Sequence, residues 1–173
     1  MDLLPMAMYG DGRDAQQALE GLAASTAFQD ESIEYFYDVI TLFVENGADL
    51  DARNFRGDTA LMESESDAFS LALIIAGASL ESVPDVVDNF HTSSILVACA
   101  MKGHLCTLEY LIEVKGINVD AYLGRGTAIH HVLYDALGRF DAVQGVKLLA
   151  EYTQAIEARD FLGRTPLALI YDS

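Results

Sequence analysis

Positively charged residues are scarce in this chain of 173 residues, which has ten Lys and Arg against 27 Asp and Glu and a net charge of −17. Residues 1–88 hold 18 acidic residues and three Arg, whereas residues 89–173 hold nine acidic and seven basic residues. Such a field repels nucleic acid and anionic membranes and attracts basic protein surfaces. The composition therefore predicts a protein partner with a basic surface, no nucleic acid and no membrane. The alternative is that the acidic residues only keep the protein soluble.

Cysteine and long hydrophobic runs are also scarce. The two cysteines, Cys99 and Cys106, lack CxxC spacing, which argues against a zinc site or a disulfide framework and fits a reducing compartment. The apolar runs at 71–76 and 95–101 are too short to cross a bilayer, and residues 1–10 contain no basic residue of the kind that begins a secretory signal. Hydrophobic residues make up 51% of the chain, enough for a core without metal or disulfide support. We expect a cytoplasmic protein with a single domain spanning 1–173.

Groups of residues that could carry catalysis are missing as well. His130 and His131 are adjacent and have no third ligand at metal-binding spacing. Cys99 lies in a row of small residues, which predicts a buried, unreactive thiol. The Gly124–Gly126 segment lacks the further glycine and the preceding strand of a phosphate-binding loop. The sequence therefore predicts no enzyme, no catalytic or metal-binding residue, and no cofactor.

A short phrase that opens with Thr or Ser occurs four times. It begins at positions 59, 94, 127 and 165, so the intervals are 94 − 59 = 35, 127 − 94 = 33 and 165 − 127 = 38 residues. Four residues before each phrase is a large apolar side chain: Phe55, Phe90, Leu123 and Phe161. A period of this length is typical of stacked supersecondary units, none of which can bury its apolar face alone.

The local chemistry of the last phrase predicts a turn followed by a helix. Gly163 allows a tight turn, the Thr165 hydroxyl can cap a helix, and Pro166 suits the first helical turn. The Ser94 phrase is followed by a break at Gly103–His104 and then by apolar residues at helical spacing in 105–113. Each unit is therefore expected to be a turn and a pair of helices.

These features together resemble the ankyrin repeat, whose Thr-Pro-Leu-His phrase, Gly-His break and Gly-Ala-Asp segment match Thr165–Leu167, Gly103–His104 and Gly47–Asp49. The resemblance implies an all-α fold, an ankyrin-repeat solenoid of stacked helix–turn–helix units with projecting β-turns, with about four to five units including degenerate caps. We assign 1–36 to degenerate N-terminal capping helices, 37–164 to repeats and 165–173 to a truncated C-terminal cap. A competing register places Thr26–Phe28 in line with the Thr59 phrase.

Three departures from the family pattern carry structural predictions. The unit that begins at Thr59 is short and is expected to have a reduced inner helix. Extra residues around 135–144 predict a protruding loop. The last half-unit should leave Leu167, Leu169 and Ile170 poorly covered, which would allow a homo-oligomer to form through this end.

The resemblance also implies that partners bind at the turn tips and along the concave face. The partner-binding residues that we predict on this basis are Phe55, Arg56, Phe90, His91, Met101, Tyr122, Leu123, Tyr134, Asp135, Phe161 and Leu162. An alternative is that the aromatic rings pack on neighbouring turns and only stabilise the stack. By the same resemblance, His130 is expected to be a structural hydrogen-bonding residue.

Two functions are compatible with these residues. The first is a non-catalytic inhibitor, such as an immunity protein that neutralises a basic toxin. The alternative is a scaffold or recruitment domain of a larger assembly, or a bacterial effector.

Overall fold

A computed structural model describes residues 32–55, 57–80, 95–136 and 140–171. All regular secondary structure in these residues is helical, and none of their helices is long and apolar enough to cross a membrane. The helices are α1 (Ser32–Glu45), α2 (Ala60–Glu63), α3 (Asp67–Ile75), α4 (Ile95–Lys102), α5 (Leu105–Glu113), α6 (Ala128–Ala136), α7 (Phe140–Tyr152) and α8 (Pro166–Tyr171). The chain forms two compact units, Met1–Leu80 and Glu81–Ser173.

In the first unit, α3 forms the centre of the described core. Helices α1 and α2 both pack against it, and the Phe36 and Phe69 rings meet edge to face with centroids 5.3 Å apart. Helix α2 is only four residues long because Ser64, at its end, turns the chain and its hydroxyl donates to the Ser66 carbonyl. Ser66 then caps α3 by accepting a hydrogen bond from the Phe69 amide. The predicted reduction of the inner helix after Thr59 is confirmed.

In the second unit, the helices contact one another as successive pairs. Helix α4 contacts α5, α6 and α7, and helix α6 contacts α7 and α8. Helix α5 also contacts α7. The core between them is made of side chains with almost no exposure to solvent, which are Leu96, Leu108, Leu111, Val132 and Leu149. The helix predicted over 105–113 is present with those bounds.

Two details of the second unit differ from the predictions. Residues 140–144 belong to α7 and not to a protruding loop, since Ala142, Gly145 and Leu149 recur at helical spacing and are all buried. Leu169 is buried, contrary to the expectation of poor cover, whereas Leu167 and Ile170 are exposed. Leu169 is buried because α8 packs against α6.

Gly145 allows an unusually close approach between α7 and α4. A Cβ atom at this position would lie 2.1 Å from the Ala100 carbonyl oxygen, which belongs to the backbone and cannot rotate away. Ala100 itself is completely buried. Because side chains in a close-packed core cannot absorb such an overlap, position 145 requires glycine for the two helices to keep this distance.

We predict that Gly145→Ala lowers the free energy of unfolding by about 2 to 3 kcal/mol, because α7 must move away from α4. Urea unfolding followed by circular dichroism measures this change. Gln144→Ala is the matched control, since Gln144 is the exposed neighbour on the same helix and its loss should change stability by less than about 0.5 kcal/mol. Equal stability of the Gly145→Ala variant and the wild type would contradict the proposed close packing.

Candidate protein-binding surface

The turns before Thr59 and Thr165 have the same backbone hydrogen bonds, although they lie in different units. The Asn54 amide donates to the Asp58 carbonyl at 3.0 Å, and the Asp160 amide donates to the Arg164 carbonyl at 2.8 Å. The glycine three residues after Asn54 or Asp160 donates through its amide to the carbonyl of that residue, at 2.9 Å in both turns. The two glycines have φ of +87° and +80°, a region that favours glycine. At Thr59 and Thr165 the phrase therefore follows the same turn geometry.

An arginine supports each of these two turns from the preceding position. Arg53 donates through Nη1 to the Gly57 carbonyl at 2.8 Å, and Arg159 donates to the Gly163 carbonyl at 2.7 Å. The threonine at the end of each turn then caps a helix, as Thr165 does by accepting from the Ala168 amide at 3.3 Å. Both turns are thus followed by a helix that a threonine caps, and both have the same arginine–carbonyl hydrogen bond.

The turn before Thr127 is shorter and is joined to the turn before Thr165. It closes through the Leu123 amide, which donates to the Gly126 carbonyl at 2.8 Å. The Phe161 amide donates to the Arg125 carbonyl at 3.1 Å, so a backbone hydrogen bond connects the two tips. Neighbouring tips in the second unit therefore lie side by side.

The Asp160 carboxylate fixes the conformation of the last turn. It is buried, and its Oδ1 accepts hydrogen bonds from the Leu162 amide at 2.8 Å and from the Arg164 amide at 2.7 Å. Its Oδ2 accepts from Arg164 Nε at 3.0 Å and from the Tyr134 hydroxyl. Arg164 Nη2 donates in turn to the oxygen of that hydroxyl. A buried carboxylate with this number of donors holds both the turn and α6, on which Tyr134 lies.

The pKa values of these three groups are coupled through their contacts. Burial acts to raise the pKa of Asp160, but the hydrogen bonds from Tyr134 and Arg164 outweigh it and lower that pKa well below its usual value. The pKa of Tyr134 is raised, first by burial and then by its bond to Asp160. Burial acts to lower the pKa of Arg164, but the bonds to Asp160 and Tyr134 raise it. The network is therefore an ionised carboxylate with a guanidinium and a neutral phenol.

A second arginine packs on the aromatic rings beside this network. The Arg125 guanidinium carbon lies 4.9 Å from the centroid of the Tyr134 ring and 5.2 Å from that of Phe161. The two rings are tilted relative to each other, with centroids 6.5 Å apart. These cation–π contacts order the Phe161 ring while half of that residue stays exposed to solvent.

His130 and His131 connect the same turns from the buried side. His130 Nε2 lies 3.2 Å from the Arg164 carbonyl, and His130 Nδ1 accepts from the Thr127 amide at 3.2 Å. Because a carbonyl can only accept, this geometry places the proton on Nε2. His131 Nε2 lies 2.8 Å from the Leu123 carbonyl. The prediction that His130 is a structural hydrogen-bonding residue is confirmed.

The tips of these two joined turns form an exposed apolar area, which we call the turn-tip surface. It consists of Tyr122, Leu123, Arg125, Phe161 and Leu162. Tyr122, Phe161 and Leu162 are at least half exposed, and Leu123 and Arg125 are half-buried. The contacts described above hold its backbone and one of its rings in place, so binding would require little ordering of this surface.

The other predicted binding residues are distributed over both units. Phe55 is 98% exposed at the turn of the first unit, while Met101 and Tyr134 are half-buried on α4 and α6. Arg56, Phe90 and His91 lie outside the described residues, as does the side chain of Asp135. Of the predicted set, the structure therefore brings together Tyr122, Leu123, Tyr134, Phe161 and Leu162.

The roles of Arg125 and Asp160 were not predicted from the sequence. Arg125 occupies a position where the family pattern expects a turn glycine, and this departure was the available signal. Asp160 directly precedes Phe161 in the sequence, but its role could not be found there, because its carboxylate is held by Tyr134, which is distant in sequence. Cys99 is buried, as expected, and the described residues contain no group of three His, Cys, Asp or Glu that could hold a metal ion.

We predict that Asp160→Asn weakens the dependence of stability on acid pH. The folded-state pKa of Asp160 lies below its unfolded value, so its contribution to stability is present above the unfolded pKa and is lost as pH falls through about 4 towards the folded pKa. The wild type should lose stability below about pH 4.5 more steeply than the variant. Urea unfolding at several pH values between about 2.5 and 7 measures the difference.

Two further variants serve as controls for this measurement. Glu157→Gln removes an exposed carboxylate nearby and should leave the acid dependence unchanged. Tyr134→Phe keeps the ring but removes the hydroxyl, and should cost about 1 to 2 kcal/mol at pH 7. An Asp160→Asn variant whose stability falls with acid as steeply as that of the wild type would contradict the assigned network.

The comparisons with protein-family models and with curated proteins give no relative from which a function could be transferred. No protein-family model matches the sequence, and no curated protein matches it. The repeated turns, the network around Asp160 and the exposed side chains that they position are therefore the features that bear on function.

Proposed function

We propose that this chain is a non-catalytic binding protein built from ankyrin-type repeats, and that its turn-tip surface grips a protein partner. The observation that carries the proposal is the exposure of Tyr122, Phe161 and Leu162 on two turns that are hydrogen-bonded to each other. Aromatic and large apolar side chains on an ordered surface are typical anchors of protein interfaces.

The repeat assignment draws support from three independent features. The Thr or Ser phrase recurs at intervals of 33 to 38 residues. The turns at 54–58 and 160–164 have the same hydrogen bonds. Within the second unit, α4 contacts α6 and α6 contacts α8, while α5 contacts α7, which is the arrangement expected for stacked helix pairs. A stack of this kind places equivalent turns along one edge.

The charge of the chain favours a partner with a basic surface. The excess of acidic residues is concentrated in residues 1–88, which contain 18 acidic residues and three Arg. Such a field speeds association with a basic protein and suppresses binding to acidic ones. A small acidic repeat protein of this kind fits the role of an inhibitor, and one form is an immunity protein that covers the active site of a basic toxin.

A recruitment function is the second candidate. It is favoured by the exposed apolar side chains of α8, which offer a second surface apart from the turns. A scaffold would use both surfaces at once, whereas an inhibitor needs only the turn-tip surface. The two functions differ in whether the bound partner keeps its own activity.

We predict that replacing Tyr122, Phe161 and Leu162 together with Ala weakens partner binding at least about tenfold, because these three side chains are the apolar anchors. Immobilised wild-type and variant proteins would be used to capture partners from a lysate of the native host, with bound proteins quantified at low and high salt. High salt should weaken capture by the wild type, since exposed charges are screened.

The matched control is the pair Val114→Ala and Val143→Ala. Both valines are exposed apolar residues outside the turns, just after α5 and on α7, and the pair should capture the partner like the wild type. Equal capture by all three proteins, with circular dichroism showing that each is folded, would remove the turn-tip surface from the proposal. An active partner in the captured complex would favour the recruitment function.

A further inference from the structure

The turn-tip surface has one charged member, and that member is basic. Of its five residues, Arg125 carries a charge, and the other four are aromatic or aliphatic. The Arg125 guanidinium carbon lies within 5.2 Å of the centroids of both the Phe161 and the Tyr134 ring. The positive charge is therefore placed among the apolar side chains of the surface and is held there by rings of the chain itself.

Stacking of this kind leaves a guanidinium in an orientation that suits a carboxylate. Cation–π contacts involve the flat face of the group, whereas its N–H groups lie in its plane and point outward from its edge. A carboxylate binds that edge through two parallel hydrogen bonds. Because the rings already restrict the Arg125 side chain, less of its freedom is lost when a carboxylate binds.

Basic residues are concentrated in the two turns, although the chain as a whole is acidic. Residues 122–126 and 159–164 hold three of the ten Lys and Arg of the chain and one acidic residue, Asp160. The Asp160 carboxylate is buried and accepts its hydrogen bonds from its own turn and from Tyr134. Exposed charges further away than about 8 Å are largely screened at physiological ionic strength, so nearby charges determine the field at the turn tips.

Two further acidic residues flank the turns without belonging to the turn-tip surface. The Asp120 carboxylate accepts hydrogen bonds from the Thr153 hydroxyl and from the Gln154 amide. Glu157 is exposed and precedes Arg159 by two residues. With both included, the turns and their flanks hold three acidic and three basic residues, so this region does not share the acidic excess of residues 1–88.

We propose that the turn-tip surface binds an acidic segment of its protein partner, in which a carboxylate side chain between apolar ones pairs with Arg125. This inference rests on the proposed function, since it takes the turn-tip surface as the binding site, and it specifies the chemistry of the segment that binds there. The basic surface favoured by residues 1–88 is a separate requirement on the partner, because it comes from charges in another part of the chain.

Selection of random displayed peptides on the immobilised full chain tests this chemistry. Peptides that also bind the variant with Ala at positions 122, 161 and 162 are discarded, because they bind elsewhere on the chain. The remaining peptides should be enriched in Asp or Glu next to apolar side chains. A remaining set that is basic or uncharged, or the absence of any remaining peptide, overturns the proposal.

A double-mutant cycle on one selected peptide separates pairing with Arg125 from a purely structural role of this residue. The peptide, with its carboxylate or with the corresponding amide, is titrated calorimetrically into the wild type and into Arg125→Gln. On the wild type the amide should weaken binding at least about tenfold, and on Arg125→Gln less than about threefold. Equal losses on the two proteins overturn the proposal, since Arg125 would then only hold the rings in place.

Lys147→Gln is the matched control, because it removes a positive charge from an exposed position of α7 and should keep the wild-type preference for the carboxylate. Should Arg125→Gln fail to fold, Arg125→Lys takes its place. Lysine keeps the charge but cannot form the paired hydrogen bonds, so the preference for the carboxylate should fall at least about threefold. An unchanged preference in Arg125→Lys overturns the proposal.

Capture of the partner from the host lysate distinguishes failure of this inference from failure of the proposed function. Weaker capture by Arg125→Gln than by Lys147→Gln supports the acidic segment. Full capture by Arg125→Gln, together with loss of capture by the variant with Ala at positions 122, 161 and 162, would remove the acidic segment and leave the turn-tip surface in place. Full capture by that alanine variant would remove both.

Discussion

The buried carboxylate of Asp160 is the interaction on which the proposed binding surface depends. It accepts hydrogen bonds from two amides of its own turn, from Arg164 Nε and from the Tyr134 hydroxyl. Burying a charge is costly unless such partners compensate for it. Here the compensation also determines where the turn lies, because the donors come from the turn itself and from α6. The exposed side chains of Tyr122, Phe161 and Leu162 thus lie on turns whose backbone is held in place by hydrogen bonds within the chain.

The packing beneath the turns of the second unit also depends on contacts between helices and turns that follow one another in the chain. His130 is completely buried and joins α6 to the Arg164 carbonyl of the next turn, while Gly145 lets α7 approach the backbone of α4. Neither residue can be replaced by one of a different shape without moving a helix or leaving a polar atom unpaired. Helix α8 differs from α6, because Leu167 and Ile170 are exposed at the positions where α6 has the buried Ile129 and Val132.

Much of the local structure could be predicted from the sequence, since turns and caps depend on residues close together in the chain. The helix at 105–113 rests on such a signal. The reduced helix after Thr59 and the structural role of His130 were expected from comparison with the ankyrin pattern, and the structure has each of these features. The prediction of a loop was wrong for residues 140–144, because the burial of Ala142 and the close approach of Gly145 to α4 make this segment part of α7. The Asp160 network and the stacking of Arg125 on Tyr134 depend on contacts between turns and α6 within the second unit, which spacing alone does not encode.

Hydrogen exchange of the protein with and without its captured partner tests the central claim most directly. Partner binding at the turn-tip surface should slow exchange of the backbone amides in 122–126 and 160–164, since those turns would become covered. The amides of α5 and α7 should exchange at the same rates in the free and bound protein. Protection confined to α5 and α7, with the two turns unchanged, would contradict the proposed mode of binding.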